Sequence, residues 1–166
     1  DALSFRDRFS SIVFGNPLLT TEEDNQAVVQ AVAGEFQDMD QETALVLMGH
    51  GTEHYANSVY AALDYRFKDM GHKNIFLGTV EAYPALDSLL RAADSFQPKK
   101  IVLAPFMIVA GDHAHNDMAG DSPDSWVCQF ENAGFEVCPI IKGLGEYPGI
   151  RRMYVEHAQK AIDSMK

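Results

Sequence analysis

Three side chains able to bind metal ions or carry protons each come shortly after an apolar segment of strand length. They are His50, Glu81 and His113. Imidazole and carboxylate groups are ligands of divalent zinc, cobalt, nickel and iron, and they are also common proton carriers in enzymes. If the apolar segments form neighbouring strands, the three side chains meet at one edge of a sheet. The sequence therefore predicts one site that holds a metal or moves protons.

The segments that must position these residues alternate between buried-strand and helical patterns. This alternation predicts an α/β fold with a four-stranded parallel sheet and helices on both faces. In such sheets, ligands bind at the carboxyl ends of the strands. We expect strands over 43–49, 74–80, 100–106 and 135–141, and helices over 55–70, from Pro84, from Ser122-Pro123 to Gly134 and over 148–165.

The first 40 residues do not follow this alternation. Residues 12–14 could form a short strand, and a helix is expected from Thr20 or Thr21 to about Phe36, because threonine followed by acidic residues is a favourable helix start. Residues 1–14 have no sheet of their own to join. This start resembles the tail of a preceding domain.

Each candidate residue also has a simpler explanation. His50 lies between two glycines and could be incidental to a tight turn, and Glu81 could only stabilise the next helix N-terminus. His113 lies in a polar segment, 110–122, that could be a solvated loop. His115 would face the same way as His113 in an extended segment but not in a helix. Three other histidines are expected at the surface: His54, His72 and His157.

Composition excludes several classes of function. The formal net charge of -11 argues against nucleic acid and against an anionic membrane surface as partners. No apolar run approaches the roughly 18 residues that span a bilayer. Cys128 and Cys138 fit neither a disulfide framework nor a zinc ribbon, and we expect two ordinary buried thiols. The motifs HExxH, GxGxxG, GxSxG and a phosphate-binding loop are all absent, so we expect no nucleotide cofactor.

Three segments in order closely resemble the anaerobic cobalt chelatases, which are sirohydrochlorin cobaltochelatases of the class II tetrapyrrole chelatases. They are GHGT at 49–52, GTVEAYP at 78–84 and PFMIVAGDHA at 105–114. Residues 116–121 and 125–126 also resemble that family, and the resemblance covers roughly residues 5–165. The position of Ala82 is more often glycine in the family, and His115 is not a fixed part of its motif.

The resemblance implies an enzyme that inserts a divalent metal into sirohydrochlorin without ATP, in cobalamin or tetrapyrrole biosynthesis. The residues that match the family's metal-handling positions are His50, Glu81 and His113, as metal ligands and as catalytic groups. The metal is a substrate, with Co²⁺ expected and Fe²⁺ or Ni²⁺ suited to the same ligands. The expected location is the cytoplasm, with a periplasmic form as the alternative.

The family fold consists of two similar α/β halves with the site between them. Residues 1–40 would then be a connecting segment and helix from a preceding half, and residues 41–166 the C-terminal half. We expect the N-terminal half to be a required partner that this sequence lacks, unless self-association replaces it, so that this polypeptide alone would be a poor catalyst.

Two other functions fit the same residues. One is a metal or tetrapyrrole carrier without turnover, and the other is a divalent-metal hydrolase, for which no further ligand set or substrate pocket is evident. Because sirohydrochlorin carries carboxylates and the chain is acidic, binding would need local donors. Lys142, Arg151 and Arg152 are candidates, although they could equally be solvated charges.

Overall fold

A four-stranded, all-parallel sheet forms the centre of the computed structural model, which describes residues 8–165. The strands are β1 (Thr43–Gly49), β2 (Ile75–Thr79), β3 (Lys100–Pro105) and β4 (Val137–Pro139). The helices are α1 (Glu22–Glu35), α2 (Ser58–Asp69), α3 (Leu86–Phe96), α4 (Trp126–Asn132) and α5 (Pro148–Asp163). The predicted α/β class is confirmed.

The strand order β2-β1-β3-β4 places the first strand between the next two. Leu45 of β1 is paired with Ile75 of β2 on one side and with Val102 of β3 on the other. The chain leaves β1 in one direction to reach β2 and later crosses to the other side for β3. The carboxyl ends of β1 and β3 therefore border the crevice where open α/β sheets bind ligands.

Side chains alternate along the buried central strand between two cores. Leu45 and Leu47 point to a core that includes residues of α1, α2 and α5, whereas Val46 and Met48 point to a core that includes residues of α3 and α4. All seven residues of β1 are buried. Such a strand needs apolar cover on both faces, which explains its continuous apolar run. The predicted helices on both faces are confirmed.

Several element boundaries differ from the sequence predictions. Residues 12–14 form no strand, and β4 is only three residues long instead of spanning 135–141. Pro139 has no N–H to donate, and the residues of β4 are partly exposed, as is typical of an edge strand. α4 begins at Trp126, after the Ser125 cap, rather than at Ser122-Pro123.

Pro84 is not the first residue of a helix. It follows a cis peptide bond from Tyr83, and its carbonyl accepts a hydrogen bond from the Thr79 N–H at 2.6 Å. The Pro84 carbonyl is thus used to close a turn back on β2. α3 consequently begins two residues later, at Leu86.

At the β2 edge of the sheet, opposite β4, a side chain binds the outward-facing backbone. The Asp64 Oδ1 atom of α2 accepts a hydrogen bond from the Leu77 N–H of β2 at 2.8 Å. Lys68 forms an ion pair with the same carboxylate. Burial lowers the pKa of Lys68, and the pairing with Asp64 opposes that shift. This arrangement occupies a backbone donor that an edge strand would otherwise expose.

The helix expected near residues 20–36 is α1. Thr21 caps it by accepting a hydrogen bond from the Asp24 N–H at 3.1 Å. Val28, Val29 and Val32 are buried in the same core as residues of the sheet, and α1 packs on α5. The division of the chain at residue 40 and its link to a preceding half stay predictions. No helix among residues 8–165 is long and apolar enough to cross a membrane.

His157 is not the surface residue that the sequence suggested. Its side chain is only 12% exposed, and both ring nitrogens face acceptors. Nδ1 lies 2.8 Å from the Asn16 carbonyl oxygen, and Nε2 lies 2.9 Å from Asp24 Oδ1. The hydrogen bond to Asn16, and then the one to Asp24, raise the pKa of His157, whereas burial and, less strongly, Lys160 oppose the shift. The protonated ring thereby connects α5 to α1 and to the segment before α1.

Because the pKa of His157 is raised on folding, its stabilisation is complete below the unfolded pKa of about 6.5 and is lost as pH rises through the folded value. We expect His157→Gln to lower the free energy of unfolding most at pH 6, with a smaller difference from the unsubstituted chain at pH 9. Urea unfolding at both pH values measures this. His72→Gln, at a half-exposed turn, is the control. A His157 difference that stays constant or grows with pH would contradict the assignment.

Candidate metal centre

His50 is the first residue after the central strand. Its ring is 47% exposed, and Nδ1 lies 2.8 Å from the Gly51 carbonyl oxygen. A carbonyl can only accept a hydrogen bond, so Nδ1 of His50 carries the proton and Nε2 keeps its lone pair. The ring therefore presents Nε2 as its ligand atom at the carboxyl end of β1.

Glu81 is held beside His50 by hydrogen bonds that continue the ladder between β1 and β2. The Val80 N–H donates to the Gly49 carbonyl, and the Glu81 N–H donates to the His50 carbonyl, each at 3.0 Å. Glu81 Oε2 lies 3.6 Å from His50 Nδ1, and its side chain is 53% exposed. The backbone pairing thus places the carboxylate next to the imidazole, while both groups remain accessible to a ligand.

Gly51 allows this close approach of two turns. It has φ of +87°, and a Cβ built on it would lie 2.9 Å from the Ala82 nitrogen. A side chain at this position would be strained by the backbone conformation and would also press on the turn that carries Glu81. The glycine after His50 therefore has a structural requirement that does not depend on ligand binding.

His113 begins a six-residue π-helix, His113–Met118, instead of lying in an extended loop. The Ala119 N–H donates to the Ala114 carbonyl at 3.2 Å, which is the wide turn of a π-helix. Ala114 and Met118 are buried in the core that includes residues of α3 and α4, and they anchor this turn. His113 is left one-third exposed and directed to the carboxyl end of the sheet, next to His50.

The three predicted residues converge. The rings of His50 and His113 meet edge to face, with centroids 4.7 Å apart at 88°. One potential ligand atom from each of His50, Glu81 and His113 lies within 4.8 Å of the other two. Ligand bonds of about 2.0–2.2 Å bring two ligands of one ion to within roughly 4.4 Å. A small rotation of these exposed side chains would bring the three ligand atoms into one coordination sphere.

His115 does not belong to this cluster. The π-helix turns it away, and it is exposed beside a groove formed with Ile108, Val109, Ile141 and Glu146. Val109 is 72% exposed and Ile108 is 43% exposed. His115 lies two residues from His113 in the π-helix, so this apolar groove borders the element that carries His113.

Two of the three basic residues considered for binding substrate carboxylates already have partners within the chain. Lys142 forms an ion pair with Glu35, and Arg151 Nη1 donates to the Glu146 carbonyl at 3.3 Å. Arg152 is exposed on α5. Cys128 and Cys138 are free thiols, as expected, and they are partly rather than fully buried.

Asp117 is the residue near the site that sequence reasoning missed. Its Oδ2 lies 2.5 Å from His113 Nδ1. The spacing of His113 and Asp117 by four residues places them on one side of a helical turn, and this spacing was the available signal. The polar composition of residues 110–122 instead predicts a loop, in which this spacing carries no information.

Gly51→Ala should destabilise the fold by about 1–3 kcal/mol through backbone strain and should also weaken Co²⁺ binding, because the added Cβ displaces the turn that carries Glu81. Gly71→Ala is the matched control, since Gly71 has φ of +94° with no atom within 4 Å of its Cβ position. We expect Gly71→Ala to lose stability but to keep Co²⁺ affinity. Urea unfolding and Co²⁺ titration distinguish the two. Equal Co²⁺ affinities would contradict the role given to Gly51.

Comparison with known proteins assigns the family. The family model described as cobalt chelatase (CbiK) matches residues 2–163. The chain is 38% identical over 158 residues to a sirohydrochlorin cobaltochelatase of Salmonella typhimurium, covering 95% of this chain and 60% of that protein. It is 30% identical over 166 residues to sirohydrochlorin cobaltochelatase CbiKC of Nitratidesulfovibrio vulgaris, covering 99% of this chain and 58% of that protein. The chain thus spans about three fifths of the length of these relatives, and it belongs to the cobalt chelatase (CbiK) family.

Proposed function

We propose that this chain carries the metal-handling site of an ATP-independent chelatase that inserts Co²⁺ into sirohydrochlorin. The observation that carries the proposal is the convergence of His50, Glu81 and His113 at the carboxyl end of the sheet. Membership of the cobalt chelatase family supports the reaction, and the names of the two relatives support the substrate.

The chemistry follows from the donor set. Co²⁺ replaces two pyrrole N–H protons of the macrocycle, so the net reaction releases two protons. Neutral His50 and His113 offer Nε2 lone pairs to the incoming ion, and ring nitrogens of the substrate take the remaining coordination positions. Glu81 completes the metal site or accepts a proton as the ion moves into the ring. Fe²⁺ and Ni²⁺ are compatible with the same ligands.

The ligand set also favours release of the ion. Imidazole and carboxylate are borderline or hard donors, and no cysteine joins the cluster among residues 8–165. His50 and Glu81 are about half exposed, so the ion would be bound at an open edge rather than enclosed. A metal that is a substrate has to leave its first ligands, and a three-residue open site suits that requirement better than a closed four-ligand site.

We propose that the macrocycle lies against the apolar surface beside the ligands, formed by Ile108, Val109 and Ile141. The exposure of these side chains supports this placement, because apolar surface next to a polar site is typical of ligand pockets. A macrocycle on one open surface lacks a second wall. We propose that a facing half, or a second copy of the chain, supplies that wall.

Cobalt binding and insertion test the proposal. We expect His113→Ala to weaken Co²⁺ binding by more than about 100-fold, because a metal bond is lost, and His115→Ala to lose less than about tenfold. Visible absorption of bound Co²⁺ gives the affinities, and the spectrum of sirohydrochlorin gives the insertion rate with and without protein. Equal losses for the two variants would contradict the ligand assignment. If the protein binds Co²⁺ and sirohydrochlorin tightly but accelerates insertion in no oligomeric state, it is a carrier.

The second wall has its own test. We expect monomeric residues 1–166 to bind Co²⁺ but to insert it slowly, because the macrocycle is not held in place on an open surface. Insertion rates measured across a range of protein concentrations, with the oligomeric state from light scattering, decide this. A full rate from the monomer would refute the need for a second wall. A rate that rises with dimer content would show that a second copy provides it.

A further inference from the structure

A carboxylate next to one candidate metal ligand has no role in the function proposed so far. Asp117 Oδ2 lies 2.5 Å from Nδ1 of His113, and the Asp117 side chain is 47% exposed. We infer that Asp117 is a positioning residue, which fixes the orientation and tautomer of His113 so that Nε2 faces the metal. This inference rests on the proposed function, because it concerns how the same site binds Co²⁺.

The tautomer follows from what the partner can do. An ionised carboxylate accepts hydrogen bonds and cannot donate, so the proton of neutral His113 lies on Nδ1. Nε2 then keeps the lone pair that a metal needs. A carboxylate in this position also holds the plane of the ligating ring. Without an acceptor, a neutral histidine ring favours the proton on Nε2, which removes the ligand atom.

The two histidines reach the same tautomer by different means. The acceptor for His50 Nδ1 is the Gly51 carbonyl, which belongs to the adjacent backbone. The acceptor for His113 Nδ1 is a side chain four residues later. The orientation of His50 is therefore built into the turn after β1, whereas that of His113 depends on one replaceable residue. This difference makes the inference testable by substitution.

The π-helix holds this pair in register. Its wide turn is closed by the hydrogen bond from the Ala119 N–H to the Ala114 carbonyl, and the next bond, from the Gly120 N–H to the Asn116 carbonyl, is of the narrower α type, each at 3.2 Å. A Cβ at Gly120 would lie 2.4 Å from the Asn116 carbonyl oxygen, so the backbone there approaches as closely as only glycine permits. Buried Ala114 and Met118 fix the inner side of the turn, and His113 and Asp117 lie together on its more exposed side.

The experiment first measures the tautomer directly, in metal-free protein at a pH where the ring is neutral. Long-range proton–nitrogen correlation spectra of ¹⁵N-labelled protein distinguish Nδ1–H from Nε2–H. We expect Nδ1–H for His113 in the unsubstituted chain and in Asp117→Glu, which can still accept. We expect a shift toward Nε2–H in Asp117→Ala, and in Asp117→Asn when its amide donates to Nδ1. Asp124→Asn, at an exposed site on the same connection, is the matched control.

Cobalt affinity is the second measurement. We expect Asp117→Ala and Asp117→Asn to bind Co²⁺ about 10- to 100-fold more weakly, with partial rescue in Asp117→Glu and no change in Asp124→Asn. Circular dichroism and thermal unfolding identify variants that lose the fold. If Asp117→Ala unfolds, Asp117→Leu takes its place in both measurements, because leucine keeps bulk at this position but cannot accept a hydrogen bond from Nδ1.

The outcomes separate the inference from the function. Nδ1–H retained in both Asp117→Ala and Asp117→Asn would overturn the inference, as would a reversed tautomer with unchanged Co²⁺ affinity. A loss of Co²⁺ affinity in Asp117→Ala without a tautomer change would instead make Asp117 a direct ligand and would also overturn it. If tautomer and affinity change together but the protein never accelerates insertion, the positioning role holds and the chelatase proposal fails.

Discussion

The parallel pairing of β1 with both β2 and β3 is the constraint on which the site depends. Parallel register makes three consecutive strands end at the same edge, so residues far apart in sequence follow strand ends that are within reach of each other. The pairing even continues past the strands, from Val80 to Gly49 and from Glu81 to His50. A slip of one residue in this register would turn the side chains of the slipped strand to the opposite face of the sheet. The apolar interior of the sheet therefore also determines the geometry of the polar cluster.

Around this edge, backbone rather than side-chain bulk does most of the positioning. Gly51 lets the turn after β1 pass against the turn after β2, and Gly120 lets the π-helix close on Asn116. The ligand-type side chains then extend from tight turns with their outer atoms in solvent. Such a site combines a well-defined backbone with accessible donors, which suits the metal transfer that we propose for it.

How much the sequence predicted depends on the kind of interaction. The class of fold, the buried strands and the grouping of His50, Glu81 and His113 follow from apolar runs and their endings, because burial leaves a strong periodic signal. The features that escaped prediction are local hydrogen-bond choices. The start of α3 depends on the hydrogen bond that the Pro84 carbonyl accepts, and the length of β4 depends on its position at the edge of the sheet. The conformation of the segment that begins at His113 depends on a π-type turn. Competing backbone hydrogen bonds of similar strength decide such features, and they leave little trace in residue type. The burial of His157 was missed for a related reason, since its partners Asn16 and Asp24 are distant in sequence.

The edges of the sheet carry a consequence for assembly. On the β2 side the outward N–H of Leu77 is already bound to Asp64, and on the β4 side the strand is three residues long and ends at a proline. Within residues 8–165, these features leave little of either border open to an incoming strand. We therefore expect a partner of this chain to meet it through side chains rather than by extending the sheet. Such contacts can separate and re-form without breaking a hydrogen-bonded ladder, so a ligand can enter between two surfaces of this kind while each keeps its own fold.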